Sequence, residues 1–83
     1  MNGDLCLGIK KIIVESIKSD LKIEELGDDY QLIGNILDSM AVNLLIVELE
    51  GKYGIVFNED DLQAEFFETI SSLASLVERK IAN

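Results

Sequence analysis

The middle of the chain carries the strongest signal for a defined structure. Asp38 and Ser39 stand directly before a run in which apolar residues recur at helical spacing. Those apolar residues are Val42, Leu45, Ile46, Leu49 and Tyr53. Short polar side chains cap the first N–H groups of helices, and glycine commonly ends them in the left-handed conformation. The pattern therefore predicts a helix from about Asp38 to Lys52 that is closed by Gly54.

Other segments predict further helices. Leu5, Ile9, Ile12, Ile13, Ser16 and Ile17 repeat at helical spacing and predict a first helix from about Asp4 to Ser19, with Asp4 as its cap. Asn58 is expected to cap a short helix from Glu59 to about Ala64. Thr69 is expected to cap the last helix, from Ile70 to about Ala82. Its apolar residues are Ile70, Leu73, Leu76, Val77 and Ile81.

The segment between the first two long helices lacks helical periodicity. Residues 20–37 combine clustered acids with apolar residues, so we expect a long loop whose apolar side chains pack across the bundle. Ile55 to Phe57 is interpreted as an apolar connector, because a single strand has no partner. The chain of 83 residues is thus expected to form one domain, residues 1–83. Its predicted fold is all-α, a small four-helix bundle of three main helices plus a short one.

Several function classes are disfavoured by composition. The chain has no histidine, which removes Ser-His-Asp and Cys-His catalysis and the usual zinc sites. Cys6 is the one cysteine, so no disulfide forms, and a buried structural thiol in a reducing compartment is expected. The acids Glu59, Asp60 and Asp61 lack the spacing and the central glycine of an EF-hand. We therefore expect neither an enzyme nor a metal site.

The formal net charge is −9. Such a chain repels nucleic acids, whose phosphates are bound through Lys and Arg. The longest apolar run, Leu44 to Val47, is far too short to cross a bilayer, and the N-terminus lacks the features of a signal peptide. The expectation is a cytoplasmic monomer that binds no nucleic acid and does not insert into membranes. Acidity would attract basic partners or simply keep the protein soluble, and charge alone does not separate these roles.

With Asp38-Ser39-Met40 in the middle of a short acidic helical chain, the sequence resembles the acyl carrier protein family over nearly its whole length. The resemblance implies that Ser39 carries a covalent 4'-phosphopantetheine arm, whose terminal thiol holds acyl groups as thioesters. It further implies that a phosphopantetheinyl transferase attaches the arm from coenzyme A, and that Asp38 belongs to the motif read by that enzyme. Asp38 could instead serve only as a helix cap, and the capping and recognition roles are compatible with each other.

Two departures from the family pattern affect the expected site. Many carriers have glycine three residues before the serine, where this chain has Ile36, so we expect Asn35 to make the turn with a positive φ. Fatty acid synthase carriers have acids at the positions of Ala41 and Leu44. The resemblance therefore implies a more apolar docking face. Its residues are Met40, Ala41, Leu44, Val47 and Glu48. Alternatively, Ala41 and Leu44 merely widen the core-facing stripe.

The leading hypothesis is an acyl carrier that delivers thioester-bound intermediates to enzymes of lipid, fatty acid or secondary-metabolite biosynthesis. An alternative is a stand-alone aminoacyl, peptidyl or D-alanyl carrier loaded by an adenylating ligase, since the motif looks most like those carriers. A helical interaction domain without the arm is a third reading. A serine hydrolase is disfavoured because Ser39 has no histidine base.

Overall fold

The computed structural model describes residues 2–17 and 20–82. Within these residues lie three α-helices, α1 (Asn2–Ile12), α2 (Ser39–Tyr53) and α3 (Ile70–Ala82), and no β-strand. A π-helical turn, Ile13–Ile17, follows α1 directly. Single 3₁₀ turns occur at Ile23–Glu25, Glu59–Asp61 and Ala64–Phe67. The prediction of an all-α bundle with a long first loop is confirmed.

The first helix differs from the prediction at both ends. α1 begins at Asn2, so Asp4 lies inside the first turn and the prediction that it caps the helix is wrong. Its carboxylate still lies near the positive end of the helix dipole, which favours an acid there without a capping contact. The α-helical pattern ends at Ile12 and widens into the π-helical turn, where Ile13 is fully buried. The predicted end at Ser19 falls outside the described residues.

Both ends of α2 follow the sequence prediction to within one residue. Asp38 has extended backbone angles, and its carboxylate accepts a hydrogen bond of 2.8 Å from the N–H of Ala41. Gly54 has a φ of 65°, and its N–H donates to the carbonyl of Glu50 at 2.9 Å. These are the capping contacts expected of an N-terminal aspartate and a C-terminal glycine.

The cap of α3 is also confirmed. The N–H of Ser72 donates to the Thr69 hydroxyl at 3.1 Å, and the N–H of Thr69 donates to the Ser72 hydroxyl at 3.1 Å. Two backbone donors at the start of the helix are thereby satisfied reciprocally.

The predicted short helix, Glu59 to Ala64, is instead divided between two 3₁₀ turns, Glu59–Asp61 and Ala64–Phe67. The Asp61 carboxylate accepts a hydrogen bond of 2.8 Å from the N–H of Asn58 and forms an ion pair with Lys80 of α3. The first turn ends after three residues, and its last residue, Asp61, is paired with α3. Ile55 to Phe57 is an irregular connector, as predicted.

One apolar core joins the helices and the long loop. The largest side chains with almost no exposed surface are Ile9, Ile13, Leu26, Leu32, Leu45, Leu49, Ile70, Leu73, Leu76 and Val77. Leu26 and Leu32 belong to the loop, which confirms that it packs across the bundle. Cys6 is also buried, and burial raises the pKa of its thiol, which is typical of an inert structural cysteine.

Backbone and side-chain contacts fix the loop against α1 and α3. The N–H of Leu32 donates to the carbonyl of Glu68 at 2.7 Å, and the N–H of Ser71 donates to the carbonyl of Asp28 at 2.9 Å. The Asp28 carboxylate forms a 2.9 Å ion pair with Lys10 of α1. The loop therefore reaches α2 from a fixed position.

Among the described residues, no helix is long and apolar enough to cross a membrane.

Candidate functional site

Ser39 is the first residue of α2, and its position is set by a tight turn in the preceding loop. The carbonyl of Leu32 accepts hydrogen bonds from the N–H groups of Asn35, Ile36 and Leu37, at 3.2, 2.8 and 2.9 Å. Ile33 and Leu37 also form an isolated parallel β-bridge. This turn brings the chain directly into the cap of α2, so that Ser39 is exposed at the start of the helix.

The turn uses a different residue from the one that the sequence predicted. Gly34 has a φ of 90°, and among the described residues no residue other than glycine has a positive φ. The expectation that Asn35 makes the turn is therefore wrong. The Asn35 side-chain amide instead donates a hydrogen bond of 2.8 Å to the carbonyl of Gln31. Glycine adopts a positive φ without a steric penalty, so Gly34, and not its neighbour Asn35, makes the turn.

The start of α2 favours a negatively charged group beside Ser39. The N–H groups of the first residues of a helix have no partner four residues earlier, and they mark the positive end of the helix dipole. Asp38 satisfies the N–H of Ala41, while helix hydrogen bonding begins with the N–H of Val42 and the carbonyl of Asp38, at 2.9 Å. The N–H groups of Ser39 and Met40 therefore precede the regular pattern, in an arrangement that suits a phosphate.

An apolar groove of about 410 Å³ opens directly beside Ser39. Its apolar walls are Ile33, Leu37, Val42, Leu62, Ala64 and Phe67. Asp38, Ser39 and Gln63 add the polar part of the lining. A phosphate on Ser39 would lie at the helix terminus, and the attached chain would have the groove beside it, so the residues fit a phosphopantetheine group.

The groove includes residues that the sequence did not associate with the site. Leu62, Gln63 and Ala64 follow the Glu59–Asp61 turn, more than twenty positions after Ser39. Leu62 is 49% exposed although it is a large apolar residue, and its position after an acidic turn gave no indication of proximity to Ser39. A pattern along one helix cannot identify a wall that is contributed by a distant segment.

Ser39 has no evident means of activating its own hydroxyl. The chain lacks histidine, and the neighbouring Asp38 uses a carboxylate oxygen to cap the helix. An unassisted serine hydroxyl is a weak nucleophile.

The five predicted docking residues fall into two environments. Met40, Leu44 and Val47 are exposed, by 82%, 41% and 62%. Ala41 is partly buried and packs against the core, whereas Glu48 is half-buried and its carboxylate accepts a hydrogen bond of 3.1 Å from Ser16. The alternative that Ala41 and Leu44 both widen the core stripe therefore fits Ala41 and does not fit Leu44.

Comparisons with known proteins define the class. The family model described as a phosphopantetheine attachment site matches residues 11–77 of the chain. The fold is similar to the solution NMR structure of a holo acyl carrier protein from Nitrosomonas europaea, with 32% sequence identity and a TM-score of 0.83. The alignment covers 94% of this chain and 96% of that one. No curated protein matches the chain.

The chain therefore belongs to the acyl carrier protein family, and its cofactor is a covalently attached 4'-phosphopantetheine. It is an acyl carrier protein-like carrier with a phosphopantetheine attachment domain. Carriers of this kind are generally non-catalytic, and they work with a phosphopantetheinyl transferase and with acyl-processing enzymes.

Proposed function

We propose that Ser39 is the residue to which the phosphopantetheine arm is attached. The observation that carries this proposal is the exposed Ser39 hydroxyl at the first turn of α2, between the Asp38 cap and the apolar groove. Ser71, Ser72 and Ser75 lie within α3, and Ser72 is engaged in its cap. Ser16 donates to Glu48 within the bundle. Ser39 is thus the described serine whose surroundings suit a phosphate and a long attached chain.

The residues around Ser39 divide the work of the site. Asp38 caps α2 and, in the proposal, also forms part of the motif that the transferase reads. The first turn of α2 places its dipole and early N–H groups toward the phosphate. The arm supplies the chemistry through a terminal thiol that holds the cargo as a thioester. The protein itself binds and positions the arm and presents its cargo.

The proposed cargo is an acyl intermediate of lipid, fatty acid or secondary-metabolite biosynthesis. The apolar lining of the groove supports this choice, because aliphatic groups gain free energy when they leave water. An aminoacyl cargo would bring an ammonium group, which is costly to bury without a paired charge. Asp38 is the one carboxylate in the described lining, and it already accepts a hydrogen bond from the N–H of Ala41.

The proposed docking face for partner enzymes lies along α2, at Met40, Ala41, Leu44, Val47 and Glu48. Its partners are the transferase, a loading ligase and downstream acyl-processing enzymes. We also propose a monomer that acts in the cytoplasm. The buried free thiol of Cys6 supports a reducing compartment for the protein.

Intact-mass spectrometry tests the attachment site. The purified chain is incubated with coenzyme A and a broad-specificity phosphopantetheinyl transferase, beside Ser39→Ala and Ser75→Ala. Ser75 is a suitable control because it is an exposed serine on α3. We expect one phosphopantetheinyl group on the wild type and on Ser75→Ala, and none on Ser39→Ala. Modification of a folded Ser39→Ala protein would overturn the proposal.

A second experiment tests the cargo. The holo protein is offered to adenylating ligases together with ATP and either fatty acids of several lengths, alanine or proline, and its mass is then measured. Loading of fatty acids supports the acyl carrier. If only amino acids load, the aminoacyl or D-alanyl alternative replaces it. An apo control distinguishes thioester formation on the arm from direct acylation of the protein.

A further inference from the structure

We infer that Lys80 is a positioning residue for the cargo: through its ion pair with Asp61, it holds Leu62 in place as the outer wall of the groove. The inference rests on the proposed attachment of the arm at Ser39, and it concerns an aliphatic chain that the arm carries. Lys80 belongs to α3 and does not itself line the groove, so it acts on the cargo through Asp61 and Leu62.

The groove has a buried floor and an exposed outer wall. Leu37 and Phe67 form the floor, since they line the groove with 4% and 2% of their surfaces exposed. Leu62 lines it as well, but it is 49% exposed. Covering such a side chain with an aliphatic chain is favourable, because both apolar surfaces leave water. The position of Leu62 therefore determines how well the groove shields an aliphatic cargo.

Leu62 forms one unit with the 3₁₀ turn that precedes it. The N–H of Leu62 donates to the carbonyl of Glu59 at 3.1 Å, and the N–H of Asp61 donates to the carbonyl of Asn58 at 3.0 Å. The Asp61 carboxylate accepts a hydrogen bond of 2.8 Å from the N–H of Asn58. These bonds all lie within residues 58–62, which we name the turn unit. They hold the unit together without attaching it to a helix.

Lys80 attaches the turn unit to α3. Its ammonium group pairs with the Asp61 carboxylate and lies 5.9 Å from the ring centroid of Phe57, the residue directly before the unit. The side chains of Lys80 and Asp61 are only 15% and 18% exposed, and charged hydrogen bonds are stronger where water is partly excluded. Among the hydrogen bonds and ion pairs described for the turn unit, this contact is the one that reaches a helix.

The floor of the groove is fixed independently of Lys80. Phe67 is buried in the core, and the carbonyl of Phe66 accepts a hydrogen bond of 3.1 Å from the Ser72 hydroxyl at the start of α3. Loss of the Lys80 contact would therefore release Leu62 with its turn unit and leave Phe67 in place. The outer wall would then no longer cover an aliphatic chain in the groove.

Cleavage of arm-bound thioesters tests the inference. The transferase attaches octanoyl- or acetyl-phosphopantetheine to the protein from the corresponding coenzyme A thioester. Hydroxylamine then cleaves the thioester, and mass spectra record the remaining acyl protein. Protection is the cleavage rate on free coenzyme A divided by the rate on the protein. We expect octanoyl to be protected on the order of threefold more than acetyl, because the groove covers the longer chain. Equal protection of both thioesters would overturn the inference.

Lys80→Met removes the ammonium group with little change in side-chain length. We expect its octanoyl protection to fall to nearly the acetyl value, while its acetyl protection stays unchanged. Lys80→Arg should restore octanoyl protection, because a guanidinium also pairs with a carboxylate. A purely structural role would lower the protection of both thioesters alike, and that result would overturn the inference. Unchanged octanoyl protection in Lys80→Met would overturn it as well.

Lys11→Met is the matched control. Lys11 is an exposed lysine of α1 outside the groove lining, so this variant changes the net charge equally and should keep wild-type protection. The same loss of octanoyl protection in Lys11→Met would assign the effect to charge and would contradict the inference. Circular dichroism and urea unfolding establish that each variant is folded.

Leu62→Ala tests the outer wall directly at an exposed position, so the test does not depend on the folding of Lys80→Met. We expect it to lower octanoyl protection as much as Lys80→Met does. Because Lys80 acts through Leu62, the double variant should lose no more protection than either single variant. Losses that multiply in the double variant would show independent effects and would overturn the inference.

Methyl NMR of ¹³C-labelled leucine gives a second readout. The Leu62 signals, identified by their absence in Leu62→Ala, should shift in the wild type when octanoyl replaces acetyl on the arm. In Lys80→Met they should shift much less. Leu7, which is 44% exposed on α1, serves as an internal reference. An octanoyl chain that leaves the Leu62 signals of the wild type in place would contradict the inference.

The same samples distinguish failure of the inference from failure of the proposed function. If the wild type acquires octanoyl-phosphopantetheine at Ser39 and Lys80→Met keeps the octanoyl protection, only the positioning role of Lys80 fails. If the wild type gains no acyl-phosphopantetheinyl group, the proposed function fails and the positioning role fails with it.

Discussion

The carboxylate of Asp38 accepts a hydrogen bond of 2.8 Å from the N–H of Ala41, across the turn of α2 that begins with Ser39. The Asp38 side chain thereby fixes the start of the helix, and it also places a carboxylate directly before the serine in the chain. Since Asp38 also belongs to the motif that the transferase is proposed to read, its capping role and its recognition role can be separated by substitution.

Asp38→Ala and Asp38→Asn make that separation. Loss of the cap in Asp38→Ala should lower the free energy of unfolding by about 1 kcal/mol, whereas Asn retains an acceptor and should cost only a few tenths. If the transferase reads the charge, Asp38→Asn will be modified more slowly than the wild type despite its stability. Urea unfolding and timed mass spectra give the two quantities. Equal rates of modification would leave Asp38 as a cap only.

Leu44 and Leu45 are adjacent in sequence and opposite in environment. Leu45 is fully buried, while Leu44 is 41% exposed. Leu45→Ala should lower the free energy of unfolding by about 2–5 kcal/mol through lost burial and a cavity. Leu44→Ala should change it by less than about 0.5 kcal/mol. Chemical denaturation of both variants tests this, and a large loss at Leu44 would assign that residue to the core.

The two glycines at the end of α2 should respond in opposite directions to alanine. Gly54 has a φ of 65°, so Gly54→Ala forces a side chain into the left-handed region and should destabilise the fold by about 1 kcal/mol. Gly51 is helical and has open space around it, so Gly51→Ala should stabilise by about 0.5–1 kcal/mol. Thermal and urea unfolding measure both changes. Similar shifts for the two variants would contradict the cap assignment.

The Asp61 carboxylate should make stability depend on pH in acid. Its hydrogen bond to Lys80 and the N–H of Asn58 lower its pKa below the ordinary value, so the folded state binds this proton less readily than the unfolded chain. The Asp61 contacts therefore stabilise the fold in full above the ordinary Asp pKa of about 3.9. This stabilisation is lost as pH falls through the lower pKa that Asp61 has in the folded state.

Asp61→Asn isolates this contribution from the titration of the other acids. Urea unfolding between pH 2 and 6 should show the wild type losing its advantage over Asp61→Asn as the solution becomes more acidic. Lys80→Met serves as the partner control, because it removes the ammonium group whose hydrogen bond contributes most to the lowered pKa of Asp61. A difference between wild type and Asp61→Asn that is constant over this range would show that the pKa is not lowered.

Local signals predict both ends of α2 and the start of α3. Asp38, Gly54 and Thr69 each act through backbone groups within a few residues, so their roles can be read from the sequence. The prediction of Asp4 as a cap is wrong because a favourable acid in the first turn resembles a cap in sequence. The family pattern points to Asn35 as the turn residue before α2, although the adjacent Gly34 adopts a positive φ at a lower cost.

Contacts between distant segments could not be predicted in the same way. The pairing of Glu48 with Ser16 joins positions 32 residues apart, and periodicity along either helix gives no indication of it. The residues from Ile13 to Ile17 have the apolar spacing of a regular helix, so the sequence does not indicate that this turn is π-helical. The groove beside Ser39 requires Leu62 and Phe67 to approach α2, which only the packed bundle determines. The identity of the attachment residue stays a prediction that peptide mapping can test.

Peptide mapping of the modified wild-type protein tests the central claim most directly. Trypsin cleaves after Lys22 and Lys52, and the peptide 23–52 contains Ser39 as its one serine and no threonine. After reaction with coenzyme A and the transferase, we predict that the phosphopantetheinyl mass lies on this peptide and that fragmentation places it at Ser39. A modified protein whose peptide 23–52 keeps its unmodified mass would contradict the account.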